Sequence, residues 1–220
     1  MRERYGIELE SLKQLLLELS AMVENAVIRA LRAVSEQNAD EARRIIDGDR
    51  HIDEMEVRIE EECLKLMALY QPVAGDLRML VTVLKVNGEL ERAADLASVI
   101  AARALNMANS VVPSEERFDF SDMAARVHRM LKDALDALVY RDATVAREVM
   151  RSDDAVDAMN AATFAKARTC IGAKPELVTY VLDCTTVSQA LERIADIATN
   201  ICEDVIYLEE GKIVRHMKRL

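Results

Sequence analysis

With 220 residues, 51% of them apolar and only 4% aromatic, no Trp, 6 Gly and 3 Pro, the chain has the makeup of close-packed long helices, which argues against sheet architectures. Its formal charge of -10 argues against a general nucleic-acid binder, because non-specific affinity for polyanions needs clustered Lys and Arg to neutralise phosphates. Such acidity suits cations or a basic patch on another protein, or serves only to keep the surface solvated.

The first helix is predicted from Leu9, Leu12, Leu16, Leu19, Val23, Ala26, Ala30 and Ala33, whose alternating spacing of three and four makes an apolar seam. Asn38, a good N-cap, starts a second helix that runs to about Leu69. Tyr70-Gln71-Pro72 opens a third, with Pro at a first helical position and Asp76 favourable in the first turns. Its stripe of Val83, Val86, Leu90, Ala94, Ala97, Ala101, Ala104 and Ala108 shrinks toward the end, which lets another helix approach closely. The pattern lapses between Ser110 and Phe120, a connector between modules. A fourth helix then runs to about Tyr140, Asp142 caps a fifth that reaches about Ile171, and Pro175 opens a sixth that ends near Gly211. Lys212, Arg215, His216, Lys218 and Arg219 form a short basic tail, read as a solvated terminus.

The chain repeats itself. Glu91-Arg-Ala-Ala-Asp95 returns as Glu192-Arg-Ile-Ala-Asp196, and the likeness spans Leu90 to Ile100 and Leu191 to Ile201. One helix earlier, Asp49, Asp53 and Met55 match Asp153, Asp157 and Met159. The expected architecture is therefore all-α, two pseudo-repeated antiparallel three-helix bundles, over residues 1–110 and 111–211, followed by the tail at 212–220.

A Glu and an Asp four residues apart share a helix face as like charges, which costs a few tenths of a kcal/mol unless a cation offsets it. In an antiparallel hairpin, residues equally far from the turn lie level. Turning at Pro72 sets Asp53 opposite Glu91 and Asp49 opposite Asp95, and turning at Pro175 sets Asp157 opposite Glu192 and Asp153 opposite Asp196. Clustered carboxylates on facing helices suit hard divalent or trivalent cations, so two metal sites are expected, with Fe, Mn, Mg or Zn as the candidate ions. The competing reading is a solvated acidic face paired with Arg92 and Arg193. The equivalence of the repeats is incomplete: Glu56 matches Asn160, and Asn200 matches Val99.

The run Gln71-Pro-Val-Ala-Gly-Asp-Leu-Arg78, then Leu84-Lys85 and Leu90-Glu-Arg-Ala-Ala-Asp95, resembles the first-repeat signature of the PhoU family of phosphate-transport regulatory proteins, and Leu191 to Glu203 is similar to the second. The resemblance covers nearly the whole chain. It implies two three-helix bundles with metal ions on their acidic faces, held by Glu91 and Asp95 with Asp49, Asp53 and Glu56, and by Glu192, Asp196 and Asn200 with Asp153 and Asp157. Where the family usually has Gly, this chain has Ala94 and Ala195, and Val99 stands where Asn is frequent, which places the doubt on the first site. The resemblance further implies a non-catalytic role: repression of phosphate-starvation signalling when phosphate is plentiful, acting between the ATPase subunit of a phosphate ABC transporter and a sensor histidine kinase.

Two rivals stand beside it. A carboxylate-bridged di-metal enzyme normally needs Glu-x-x-His on two helices, and none of His51, His128 and His216 has a Glu three residues before it. A metal-free helical adaptor would share the core pattern and bind no cation. Cys63, Cys170, Cys184 and Cys202 show no CxxC spacing and are read as reduced core residues. Met1 to Tyr5 leads into an amphipathic segment, and no uncharged apolar run of about 18 residues occurs, so a soluble cytoplasmic protein is expected, reaching membranes only through its partners. Apolar residues on more than one helix face fit a homodimer, the expected assembly, or a third packing neighbour.

Overall fold

Leu12, Leu16, Leu19, Val23, Val27 and Ala30 are all buried, so the spacing of three and four does close one long helix onto a core. In the computed structural model, which describes residues 2–108 and 110–214, this is α1 (Arg2–Glu36). It is followed by α2 (Ala39–Tyr70), α3 (Ala74–Ala108), α4 (Ser121–Tyr140), α5 (Ala143–Ala173) and α6 (Val178–Glu210). Among the described residues, the expected all-helical architecture of six long helices is what the chain adopts. Of the basic tail, Lys212 is among the described residues, whereas Arg215, His216, Lys218 and Arg219 lie outside them.

The first turn of each half is built by the same local chemistry. Gln37 takes a left-handed backbone (φ 52°), and the Gln37 and Asn38 amides donate back to the Val34 and Ala33 carbonyls, closing α1. Asn38 Oδ1 then accepts from the Glu41 amide at 3.0 Å and starts α2. In the second half Arg141 is left-handed (φ 54°), and Asp142 Oδ1 accepts from Thr144 and Val145 at 2.8 and 3.1 Å.

The second turns differ from expectation by a few residues. Pro72 lies ahead of α3, which begins at Ala74. Gln71, left-handed at φ 44°, closes α2 by donating to the Met67 carbonyl, and a residue before Pro is disfavoured in the helical region, so the chain needs two more residues before it winds again. Pro175 does open a helical turn, but of the tighter kind (Pro175–Leu177), and α6 follows at Val178. Gly211, left-handed at φ 70°, ends α6 as expected.

Helices α1, α2 and α3 pack on one another, as do α4, α5 and α6, and the two groups meet mainly along α3 and α6, with a lesser contact of α1 on α4. On α3 and α6 the buried faces are rich in small residues, Ala93, Ala97, Ala101 and Ala104 on one and Ala195 and Ala198 on the other. Small side chains allow close approach of the axes. Polar contacts cross this seam: Lys85 Nζ to Asp204 at 2.5 Å, Asn200 Nδ2 to Glu89 at 3.3 Å, and Arg103 and Asn106 to Asp183 at 3.3 Å each. The partner number falls as the α3 number rises, so the two helices run antiparallel. Because Asp183 and Asp204 are buried at 6% and 5% exposure, a shift in register would strand them from these cations.

All four cysteines are buried and free, as the apolar setting of their sequence neighbours requires. Burial pushes the thiols of Cys63, Cys184 and Cys202 up to about 12, which suppresses the reactive thiolate.

Candidate functional site

The hairpin α2–α3 brings its acids to one level, as the turn at Pro72 requires. The Glu91 carboxyl is raised by burial and then by Asp95, Asp53 and Glu56, with Arg92 acting in the opposite direction. Asp49 is raised by burial and by Asp53 and Asp95, against a hydrogen bond with Ser98. Glu56 is raised by burial and by Glu60 and Asp53. These couplings join Asp49, Asp53, Glu56, Glu91 and Asp95 into one electrostatic group.

The hairpin α5–α6 repeats the arrangement. Burial raises Glu192, reinforced by Asp196, Asp157 and Asp153, and burial with Asp157 raises Asp196. Asp153 is buried at 5% exposure. Asn200 is placed elsewhere: its amide donates to Glu89 Oε1 on α3, so it is engaged at the seam between the halves.

Two supporting residues were not foreseen. Asn87, one turn before Glu91, donates its Nδ2–H to the Glu56 carbonyl at 2.9 Å and to Glu56 Oε1 at 3.0 Å. Ser188, one turn before Glu192, donates to Asn160 Oδ1 at 2.8 Å. The signal was available, since both lie at i−4 from the repeated Glu and are polar on an otherwise apolar face. Arg92, expected as an intrahelical partner of the repeated acids, forms its ion pair with Glu89 instead. His51 is exposed and faces Glu54 at 3.6 Å.

The donor chemistry fits a hard cation. Among the described residues, Asp49, Asp53, Glu56, Glu91, Asp95, Asp157, Glu192 and Asp196 form no ion pair with Lys or Arg, although acids elsewhere on these helices do, such as Glu54 with Arg50 and Glu62 with Lys65. These acids carry oxygen donors only, the ligand type that Mg, Mn and comparable ions prefer. The carboxylates influence one another without closing on a common point: among the described residues no three Asp, Glu, His or Cys side chains converge into a ready chelating group.

A duplicated antiparallel helical bundle with an ExxxD acid pair on the third helix of each half defines a distinct class of all-helical protein. Residues 16–104 and 120–205 each match the PhoU domain, and the chain belongs to the PhoU family. It is 35% identical over 209 residues to the phosphate-specific transport system accessory protein PhoU homolog of Aquifex aeolicus, covering 95% of this chain and 94% of that relative. It is 31% identical to the corresponding Escherichia coli protein over 97% of this chain and 88% of that one. The crystal structure of PhoU from Pseudomonas aeruginosa superposes with a TM-score of 0.91 at 32% identity, covering 94% of this chain and 100% of that one. That of the phosphate transport system regulatory protein PhoU from Streptococcus pneumoniae gives 0.84 at 28%, covering 96% and 99%. Among the described residues no helix is long and apolar enough to cross a membrane.

Proposed function

We propose that this chain is a non-catalytic accessory regulator of phosphate transport. It binds the ATPase subunit of a phosphate ABC transporter and a sensor histidine kinase in the cytoplasm, and restrains the starvation response when phosphate is plentiful. The observation that carries this reading is the match to PhoU accessory proteins along nearly the whole chain, with both acid-bearing halves included. Asp49, Asp53, Glu56, Glu91 and Asp95 would hold cations in the first half, and Asp153, Asp157, Glu192 and Asp196 in the second. Bound cations supply charge neutralisation across each hairpin. The chain's own part is to present long faces on which Asn87 holds the Glu56 carboxylate and Ser188 holds the matching Asn160 amide, and regulation follows when a partner's state shifts which complex is populated. The homodimer expected from the sequence would present each face twice.

Two measurements separate the parts of this reading. Purified full-length chain is titrated into the ATPase subunit and into the cytoplasmic portion of the kinase by calorimetry. Saturable binding to the ATPase subunit supports the role, and no binding to either partner overturns it. Elemental analysis after dialysis is run beside the variant Glu91→Ala, Asp95→Ala, Glu192→Ala, Asp196→Ala, checked for retained helicity. Metal in the parent and not in the variant supports the sites, whereas a parent that stays metal-free after loading with Mg, Mn, Fe or Zn removes them and leaves a helical adaptor.

A further inference from the structure

Aromatic side chains are scarce in this chain, with 3 Phe and 5 Tyr in 220 residues, yet two of the Phe and one Tyr meet at a single cavity. The cavity measures about 360 Å³ and lies where the connector between the halves crosses the ends of α1 and α3 and the starts of α4 and α6. Phe118 and Phe120 stack with their centroids 6.4 Å apart and 22° between planes, and Tyr180 meets Phe118 edge-on at 6.2 Å. This wall is fixed. The Phe118 amide donates to the Tyr180 hydroxyl at 3.3 Å, Lys166 donates to the Arg117 carbonyl at 2.7 Å, and the Lys166 ammonium sits 4.4 Å from the Phe118 ring centroid.

The charge of the cavity departs from that of the molecule. In a chain of formal charge -10, its charged lining consists of Arg32, Arg117 and Asp119. Asp119 spends one carboxylate oxygen on the Ser121 amide at 2.9 Å. Arg32 gives its Nε to Glu36 at 2.7 Å, which leaves the terminal guanidinium nitrogens as further donors. Guanidinium groups recognise planar anions and stack on aromatic faces. The volume falls at the small end of ligand sites, too small for a protein segment with its side chains and large enough for one or two fused rings with an acidic group.

We propose that this cavity is a binding site for a free small aromatic anion, such as a nucleoside monophosphate, which lays its ring against Phe118 and Phe120 and its anionic group between Arg32 and Arg117. The site is independent of the acidic hairpins and of the transport role. Because its walls come from both halves, an occupant ties them together, and it stabilises the folded chain by RT ln(1 + L/Kd), where L is the free ligand concentration, a gain that grows with the logarithm of L above Kd.

The test uses the full-length chain with 1-anilinonaphthalene-8-sulfonate as a fluorescent aromatic anion and N-phenyl-1-naphthylamine as its uncharged counterpart. Expected is saturable binding of the sulfonate at one site per chain, displaced by adenosine monophosphate and not by inorganic phosphate at equal concentration. Ala124→Trp and, separately, Ser121→Trp fill the cavity from its α4 side and should abolish binding. Ser121 is exposed, so the second variant decides if the first misfolds. Arg32→Ser with Arg117→Ser should weaken the sulfonate at least tenfold and leave the neutral probe within twofold. The proposal is overturned by sulfonate binding that survives Ser121→Trp, by equal loss of both probes on removing the arginines, by displacement with phosphate alone, or by no saturable binding in the parent.

Discussion

Glu91→Gln should stabilise the chain without metal and destabilise it with metal. Glu91 faces three like charges, Asp95 on its own helix and Asp53 and Glu56 across the hairpin. At about 0.2–0.5 kcal/mol for each neighbouring like-charge contact, neutralising it relieves about 1 kcal/mol, which for a chain of this length is a rise in Tm of about 2–4 °C. The pH dependence follows from the raised carboxyl. Its folded pKa lies above the unfolded one, so its contribution is favourable at low pH and is lost as pH rises through the folded value. The gain from Gln should therefore be full at pH 7.5 and absent below about pH 4, where both states hold the proton. A cation at about 100 times its Kd stabilises the parent by about 2.7 kcal/mol, or about 5–11 °C, and the variant should lose most of that shift. Circular-dichroism melts at 222 nm in EDTA and in MnCl2 check both signs. A Gln variant that melts below the parent in EDTA would refute the argument that these acids repel one another uncompensated.

Three further outcomes follow from the scaffold. Lys85→Met removes the ammonium that Asp204 accepts from at 2.5 Å across the α3–α6 seam, and with Asp204 at 5% exposure and Lys85 part-buried it should cost about 2 kcal/mol by urea denaturation, most of it recovered in Lys85→Met, Asp204→Leu. Asn38→Ala and Asp142→Ala each delete an N-cap acceptor and should cost about 1 kcal/mol in the same assay, with little change in the m-value. Cys63, Cys184 and Cys202, buried and with thiols pushed up to about 12, should stay unreactive to Ellman's reagent at pH 8 until guanidinium is added; rapid reaction in native buffer would show that these helices open readily.

What was legible in the sequence is what local chemistry decides. Asn38 and Asp142 announce their turns because a short acceptor side chain satisfies the first amides of the next helix within three residues. The level of Asp53 with Glu91, and of Asp157 with Glu192, follows from two helices of equal rise folded back at a turn. Pro72 stands two residues ahead of α3, not at its first position, because Gln71 ends α2 in a left-handed conformation, a choice the dipeptide does not force. Illegible from local pattern were the contacts made by the packing of one half on the other. Nothing near Asn200 tells that its amide meets Glu89, 111 positions away, and nothing near Phe118 tells that Tyr180 closes a cavity beside it.

The supporting bonds also change how the two acidic faces compare. Asn87 on Glu56 and Ser188 on Asn160 occupy matching places, so the duplicated frame keeps one hydrogen bond and exchanges the charge it positions. Asn200, which made the second site look more complete than the first, is engaged at the seam, so its counterpart Val99 removes nothing from the α2–α3 hairpin. On the metal reading, the first face then has the greater charge, through the Glu56 carboxylate that Asn160 lacks. A carboxylate about 6 Å from a divalent ion contributes about 1.4 kcal/mol even at the dielectric of water, roughly tenfold in affinity. Calorimetric titration with Mn should therefore show a tighter phase that disappears in Glu91→Gln, Asp95→Asn and persists in Glu192→Gln, Asp196→Asn. Glu56→Gln should bring the two phases together, because it makes the first face the chemical equal of the second. Loss of the tighter phase in the second pair instead would mean that the buried Asp153, and not the extra carboxylate, governs affinity.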